Sequence, residues 1–177
     1  MVDDLDHAAL VRRDASPADE VTDAGAMLMR IETALQPTLK ARDVHLAVTA
    51  DQAVAVPGVS PAVLERMMAR LIGAALALAA PGEIVVASLS ELATGTAALS
   101  VARPAKLAGV SDAVLVDPGY DPEMPYPDAP LLGLGFTLRL VESLARDIGG
   151  RFSISADAFV LTMPTILAHA DLPAGTP

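Results

Sequence analysis

Along the chain, apolar positions recur at two alternating spacings, one helical and one extended, and these set the order of the elements. Met27, Ile31, Leu35 and Leu39 lie four apart, which predicts a helix over residues 24–42. Pro37 interrupts it and is expected to kink or shorten its last turns. Residues 45–49 then alternate apolar and polar as a strand does. Residues 53–56 are expected to pair with them across Ala50-Asp51-Gln52. A second helix is well marked at its start, with Ser60 as N-cap and Pro61 at the first helical position. Leu64, Met67, Met68, Leu71, Ala75 and Leu78 form its apolar stripe, and Pro81-Gly82 ends it. Residues 83–89 and 97–102 read as a hairpin turning at Thr94-Gly95.

Residues 103–132 break this regularity, with prolines at 104, 118, 122, 125, 127 and 130. A long irregular segment inside a compact domain is usually functional, often a lid. Next comes Gly133-Leu134-Gly135-Phe136-Thr137-Leu138, a glycine turn opening an amphipathic helix. Leu134, Leu138, Val141, Ala145 and Ile148 share one face of it, and Gly149-Gly150 stops it. Residues 151–155 and 159–163 close the domain as a strand pair. Outside this region, residues 1–11 suggest a short helix, residues 12–23 a polar linker, and residues 166–177 a frayed tail. The order predicts an α/β fold, a two-layer sandwich of three helices on a mainly antiparallel mixed sheet.

Composition narrows the chemistry. At 177 residues the chain suits one domain with a real core, rich in aliphatic residues but only 3% aromatic. The longest apolar run, residues 71–80, is far short of the ~20 residues a membrane span needs. With no basic, apolar leader, a cytoplasmic location is expected. Cysteine is absent, which excludes disulfides and thiolate chemistry. His7, His45 and His169 are scattered and show no metal-ligand spacing. The net charge of −10, with seven acids among residues 1–24, disfavours nucleic acid as a partner.

The glycine turn is the sharpest chemical feature, because bare backbone N–H groups at a helix start are a common phosphate cradle. Gly133, Leu134, Gly135 and Thr137 are therefore candidate phosphate contacts. The same pattern also serves as a plain tight turn, so its surroundings decide.

Those surroundings resemble the ATP-binding domain of sensor histidine kinases, of the GHKL ATPase superfamily, over about residues 24–166. Leu132–Phe136 matches the second glycine box of that family, and residues 142–152 match the helix and strand that follow it. Residues 64–81 fall where the asparagine-bearing helix lies. Residues 115–120 resemble the Phe-containing box of the lid. Residues 2–10 resemble the end of a dimerisation helix, so residues 1–23 would precede the ATPase domain and 167–177 would trail it. The resemblance implies the histidine-kinase-like ATPase fold and a place in two-component signalling.

The departures from the family pattern bear on activity. Where the family carries Mg²⁺-ligating asparagines, this chain has Arg70 and Ala74, and Ala77 stands where a basic residue is expected. Magnesium needs oxygen ligands, and a methyl group offers none. The first glycine box, whose aspartate accepts from the adenine amino group, is replaced by Arg103-Pro104-Ala105-Lys106-Leu107. Arginine only donates. Losing such an acceptor costs ~1–3 kcal/mol, up to about a hundredfold in affinity. Asp117-Pro118-Gly119 is an alternative register for that box, although it leaves little room for a lid before Gly133. His7 lacks the flanking residues of a phosphoacceptor and reads as a solvated helix residue. Arg70 reads either as a surface arginine or as a phosphate clamp.

The expectation is a histidine-kinase-like domain without a cofactor, acting through contact with a response regulator, a sensor kinase or a second copy of itself. The alternative is a catalytic domain that binds ATP and Mg²⁺ through non-standard ligands, with Arg70 beside the glycine turn. A structural dimerisation module is a third possibility.

Overall fold

The computed structural model describes residues 21–51, 54–93, 95–117, 119–120, 122 and 133–166. The readings of residues 1–11, with His7, and of the tail beyond Ile166, with His169, lie outside them. Helix α1 (Ala24–Arg42) begins at Asp23, whose carboxylate accepts the Ala26 N–H at 2.9 Å. That satisfies one of the bare donors of the first turn. The helix ends at Asp43, held in the left-handed region with its N–H directed to the carbonyls of Leu39 and Lys40. Contrary to the sequence expectation, Pro37 does not shorten the helix, which runs on to Arg42. Proline removes the bond that would reach the Thr33 carbonyl. Both residues are exposed, so solvent can reach that carbonyl, while buried Leu39 pins the turn beyond it to the core.

Helix α2 (Pro61–Leu78) starts where Ser60 and Pro61 predict, although the Ser60 side chain makes no capping bond. Every residue of its predicted stripe is buried. A third, short helix, α3 (Asp112–Leu115), and a 3₁₀ turn (Ala105–Leu107) lie within the segment read from sequence as irregular. Buried Leu107 and Leu115 pack residues 105–115 onto the domain. Helix α4 (Leu134–Asp147) follows the glycine turn as predicted, with Leu134, Leu138, Val141 and Ala145 buried.

The strands are β1 (Val21–Asp23), β2 (His45–Ala50), β3 (Ala55–Pro57), β4 (Ile84–Ala93), β5 (Thr96–Ala102), β6 (Arg151–Ile154) and β7 (Ala158–Pro164). Five of them form one sheet in the order β2-β4-β5-β7-β6. Only β2 and β4 run parallel, because α2 connects them as a crossover; the other neighbours are antiparallel. Alternation along β7 buries Phe159, Leu161 and Met163 on the helix side. Ile84 and Val86 stay exposed on β4. The result is the expected two-layer α/β sandwich, with the short α3 added to the three long helices.

Three local expectations are corrected. Of the residues expected to pair with β2, Ala55 and Val56 belong to β3, which instead pairs antiparallel with β1. Residues 21–23, read as linker, therefore form a strand. Thr22 is buried there and its hydroxyl donates to the Val59 carbonyl at 2.9 Å. Ile166, read as the start of a frayed tail, donates its N–H to the Ala55 carbonyl at 3.1 Å. Periodicity marks a strand but carries no information about its partner.

Two polar side chains and two glycines fix the loops. The Arg103 guanidinium donates to the carbonyls of Ser155 (2.9 Å), Leu107 (2.6 Å) and Val110 (2.8 Å). It ties the 3₁₀ turn to the β6–β7 turn. The Glu83 carboxylate accepts from Ala80 N–H at 2.8 Å and Ala105 N–H at 2.7 Å, joining the exit of α2 to the same turn. Gly150 lies so close to β7 that a methyl group there would overlap the Thr162 carbonyl oxygen. A methyl at Gly135 would overlap the Asp117 carbonyl oxygen in the same way.

Replacing Arg103 with methionine takes the guanidinium from three carbonyls, of which that of Leu107 still accepts the Val110 N–H. It should lower unfolding free energy by about 1–3 kcal/mol, read as a reduced urea midpoint at unchanged m. Arg103→Lys should recover little, because one ammonium cannot span three acceptors. Gly150→Ala forces α4 away from the sheet and should cost ~1–3 kcal/mol by the same measurement.

Candidate functional site

The three long helices converge on a groove of about 350 Å³. Helix α1 contributes Leu35, Thr38, Leu39 and Arg42, the i, i+3, i+4, i+7 set of one face, and Val44 follows them. Helix α2 contributes Ala69, Arg70, Gly73, Ala74, Leu76 and Ala77, and the first turn of α4 contributes Leu134 and Thr137. The groove exists because α2 is asymmetric. Its sheet side carries the bulky Leu64, Met67, Met68 and Leu71, whereas the groove side carries mostly alanine and glycine.

Four polar side chains line this space: the hydroxyls of Thr38 and Thr137 and the guanidinium groups of Arg42 and Arg70. Among the described residues, no carboxylate, carboxamide or imidazole lines it. Arg42 is oriented by its bond to the Ala77 carbonyl, 3.1 Å from Nη2. Arg70 is half-buried at the edge of the groove. Elsewhere among the described residues, no group of three or more His, Cys, Asp and Glu side chains is placed to hold a metal ion.

The residues singled out from sequence divide into two sets. Arg70, Leu134 and Thr137 meet in the groove, beside Ala74 and Ala77, the positions that depart from the family pattern. Gly133 and Gly135 do not line it. Gly133 is the half-buried cap residue of α4, and Gly135 is buried beneath the Asp117 backbone. A carbonyl oxygen, with its partial negative charge, thus packs against the glycine read as a phosphate contact. Asp117 itself closes a local turn, its carboxylate accepting the Gly119 N–H at 2.8 Å. Arg103 also lies outside the groove lining, engaged with its three carbonyls.

Sequence reasoning missed the α1 wall, Thr38 and Arg42 above all, because the helix was read only for its buried stripe. It also missed Gly73. A glycine in the middle of an otherwise strong helix was the available signal, since glycine is unfavourable there unless something requires it.

No protein-family model matches the sequence, and no curated protein matches it. Solved structures do. A mycobacterial sensor histidine kinase, MprB, is similar over 84% of this chain and 99% of its own, at 18% identity and a TM-score of 0.59. The full-length kinase ShkA, solved in complex with AMPPNP, is similar over 88% of this chain and 33% of its own, at 17% identity and a TM-score of 0.63. The histidine kinase ThkA, in complex with the response regulator protein TrrA, is similar over 82% of this chain and 41% of its own, at 10% identity and a TM-score of 0.55. No helix among the described residues is long and apolar enough to cross a membrane. The described residues adopt the fold of histidine kinase catalytic domains.

Proposed function

We propose that this chain is a histidine-kinase-like domain of two-component signal transduction that acts through contact with a response regulator or a kinase, without Mg²⁺-dependent ATP chemistry. The observation that carries this reading is the composition of the groove. Magnesium requires hard oxygen ligands in near-octahedral array. Two threonine hydroxyls, two guanidinium groups and a floor of alanine and glycine do not fit it. Ala74 stands where the resemblance calls for a metal-ligating asparagine, and Arg103 has both terminal nitrogens bonded to backbone carbonyls. The Asp117 carbonyl against Gly135 adds to this, since it occupies one approach to the start of α4. A response-regulator partner is supported by the likeness to ThkA, whose structure was solved with one.

A second reading has its own observation. Arg70 and Thr137 do meet in one groove beside the start of α4, as a phosphate site with guanidinium in place of metal would require. ShkA, of similar fold, was solved with AMPPNP.

Calorimetric titration of the chain with AMPPNP, with and without Mg²⁺, separates the two. The proposal predicts no saturable binding at concentrations up to the millimolar range. A low-micromolar dissociation constant would sink it. If such binding were also weakened about tenfold or more by Arg70→Ala, as loss of a charge-assisted bond should do, the second reading would stand.

A further inference from the structure

We infer that the groove between α1, α2 and α4 holds a small amphipathic carboxylate, its apolar chain over Gly73 and its head on the Arg70 guanidinium. The inference rests on the reading above, that this site does not take a magnesium nucleotide.

Gly73 is the first observation. It sits mid-way along α2, half-buried in the groove, and a Cβ built there meets nothing within 4 Å among the described residues. No neighbour therefore requires the glycine, unlike Gly135 and Gly150, which carbonyl oxygens crowd. Glycine is the poorest helix former after proline, so packing within the domain gives no reason for it. A glycine facing an open groove lets a ligand approach the backbone closely.

Charge is the second observation. The chain carries 22 acids against 12 lysines and arginines, yet among the described residues two arginines and no acids line this groove. A planar guanidinium at the edge of an apolar slot suits a carboxylate, which it can engage through two parallel bonds. The third observation is the scarcity of other polar groups. Among the described residues, the lining adds two hydroxyls to the arginines, which suits a ligand with a small polar part. Leu35, Leu39, Val44 and Leu134 would take its hydrocarbon. A volume of about 350 Å³ lies at the lower end for small-molecule sites.

Decanoate is a suitable probe, titrated calorimetrically below its micelle-forming concentration. Saturable one-to-one binding is expected, with decanol weaker than decanoate. Gly73→Leu fills the slot while improving helix propensity, so the protein should still fold and bind decanoate about tenfold or more weakly. Arg70→Glu should lose a similar factor for decanoate and gain binding of decylammonium. The inference is overturned if Gly73→Leu binds decanoate as tightly as wild type. It is equally overturned if Arg70→Glu does not reverse the preference between the two amphiphiles. Failure of both decanoate and AMPPNP to bind removes this inference and leaves the proposed function intact. Low-micromolar binding of AMPPNP with Mg²⁺ removes the reading on which it rests.

Discussion

The burial of α2 is the constraint on which the rest of the domain depends. Ten of its eighteen residues are buried, so a single apolar stripe against the sheet cannot satisfy it. A helix that is apolar around most of its circumference must be covered on several sides. Here α1 flanks it on one side, α4 on the other, and the five-stranded sheet lies beneath. The crossover that carries α2 also makes β2 and β4 parallel, the one such pair in that sheet. The large residues of α2 go down into the core. The small ones remain on the outer side, where they are too short to fill the space between the flanking helices.

That space makes the site. A groove floored by alanine and glycine is apolar by construction, and its character is then set by the few long side chains at its edge. Arg42 and Arg70 give it positive charge within a strongly acidic chain. Around the exit of β5, polar side chains are meanwhile engaged in holding the backbone. Arg103 is spent on three carbonyls, Glu83 on two N–H groups, and the first turn of α4 lies under the Asp117 backbone. The fold of histidine kinase catalytic domains is thus built around a groove whose polar lining, among the described residues, is two hydroxyls and two guanidinium groups.

Much of the fold was legible in advance because its periods are strong. The stripe of α2, the amphipathic face of α4 and the alternation of β7 each repeat over several turns or residues, and each bears out. The misreadings share a physical cause. Pairing of β3 with β1 joins short segments far apart in sequence, and nothing in three residues specifies a distant partner. Pro37 was expected to kink or shorten α1 because the loss of its hydrogen bond is local, whereas the burial of Leu39, which holds the turn beyond it, is tertiary.

The site was legible only in part. Sequence alone determined that Ala74 could not ligate a metal, that Arg103 could not accept a hydrogen bond, and that a glycine turn opens α4. These are properties of side chains and of backbone freedom, independent of where the chain places them. Tertiary structure decided which of these residues meet. It put Arg70, Leu134 and Thr137 in one groove with Arg42 and Gly73, and it set Gly133 and Gly135 outside that lining. It also turned Arg103 from a missing acceptor into a clamp on three carbonyls. Such meetings depend on how helices pack across tens of residues, and no local spacing encodes them.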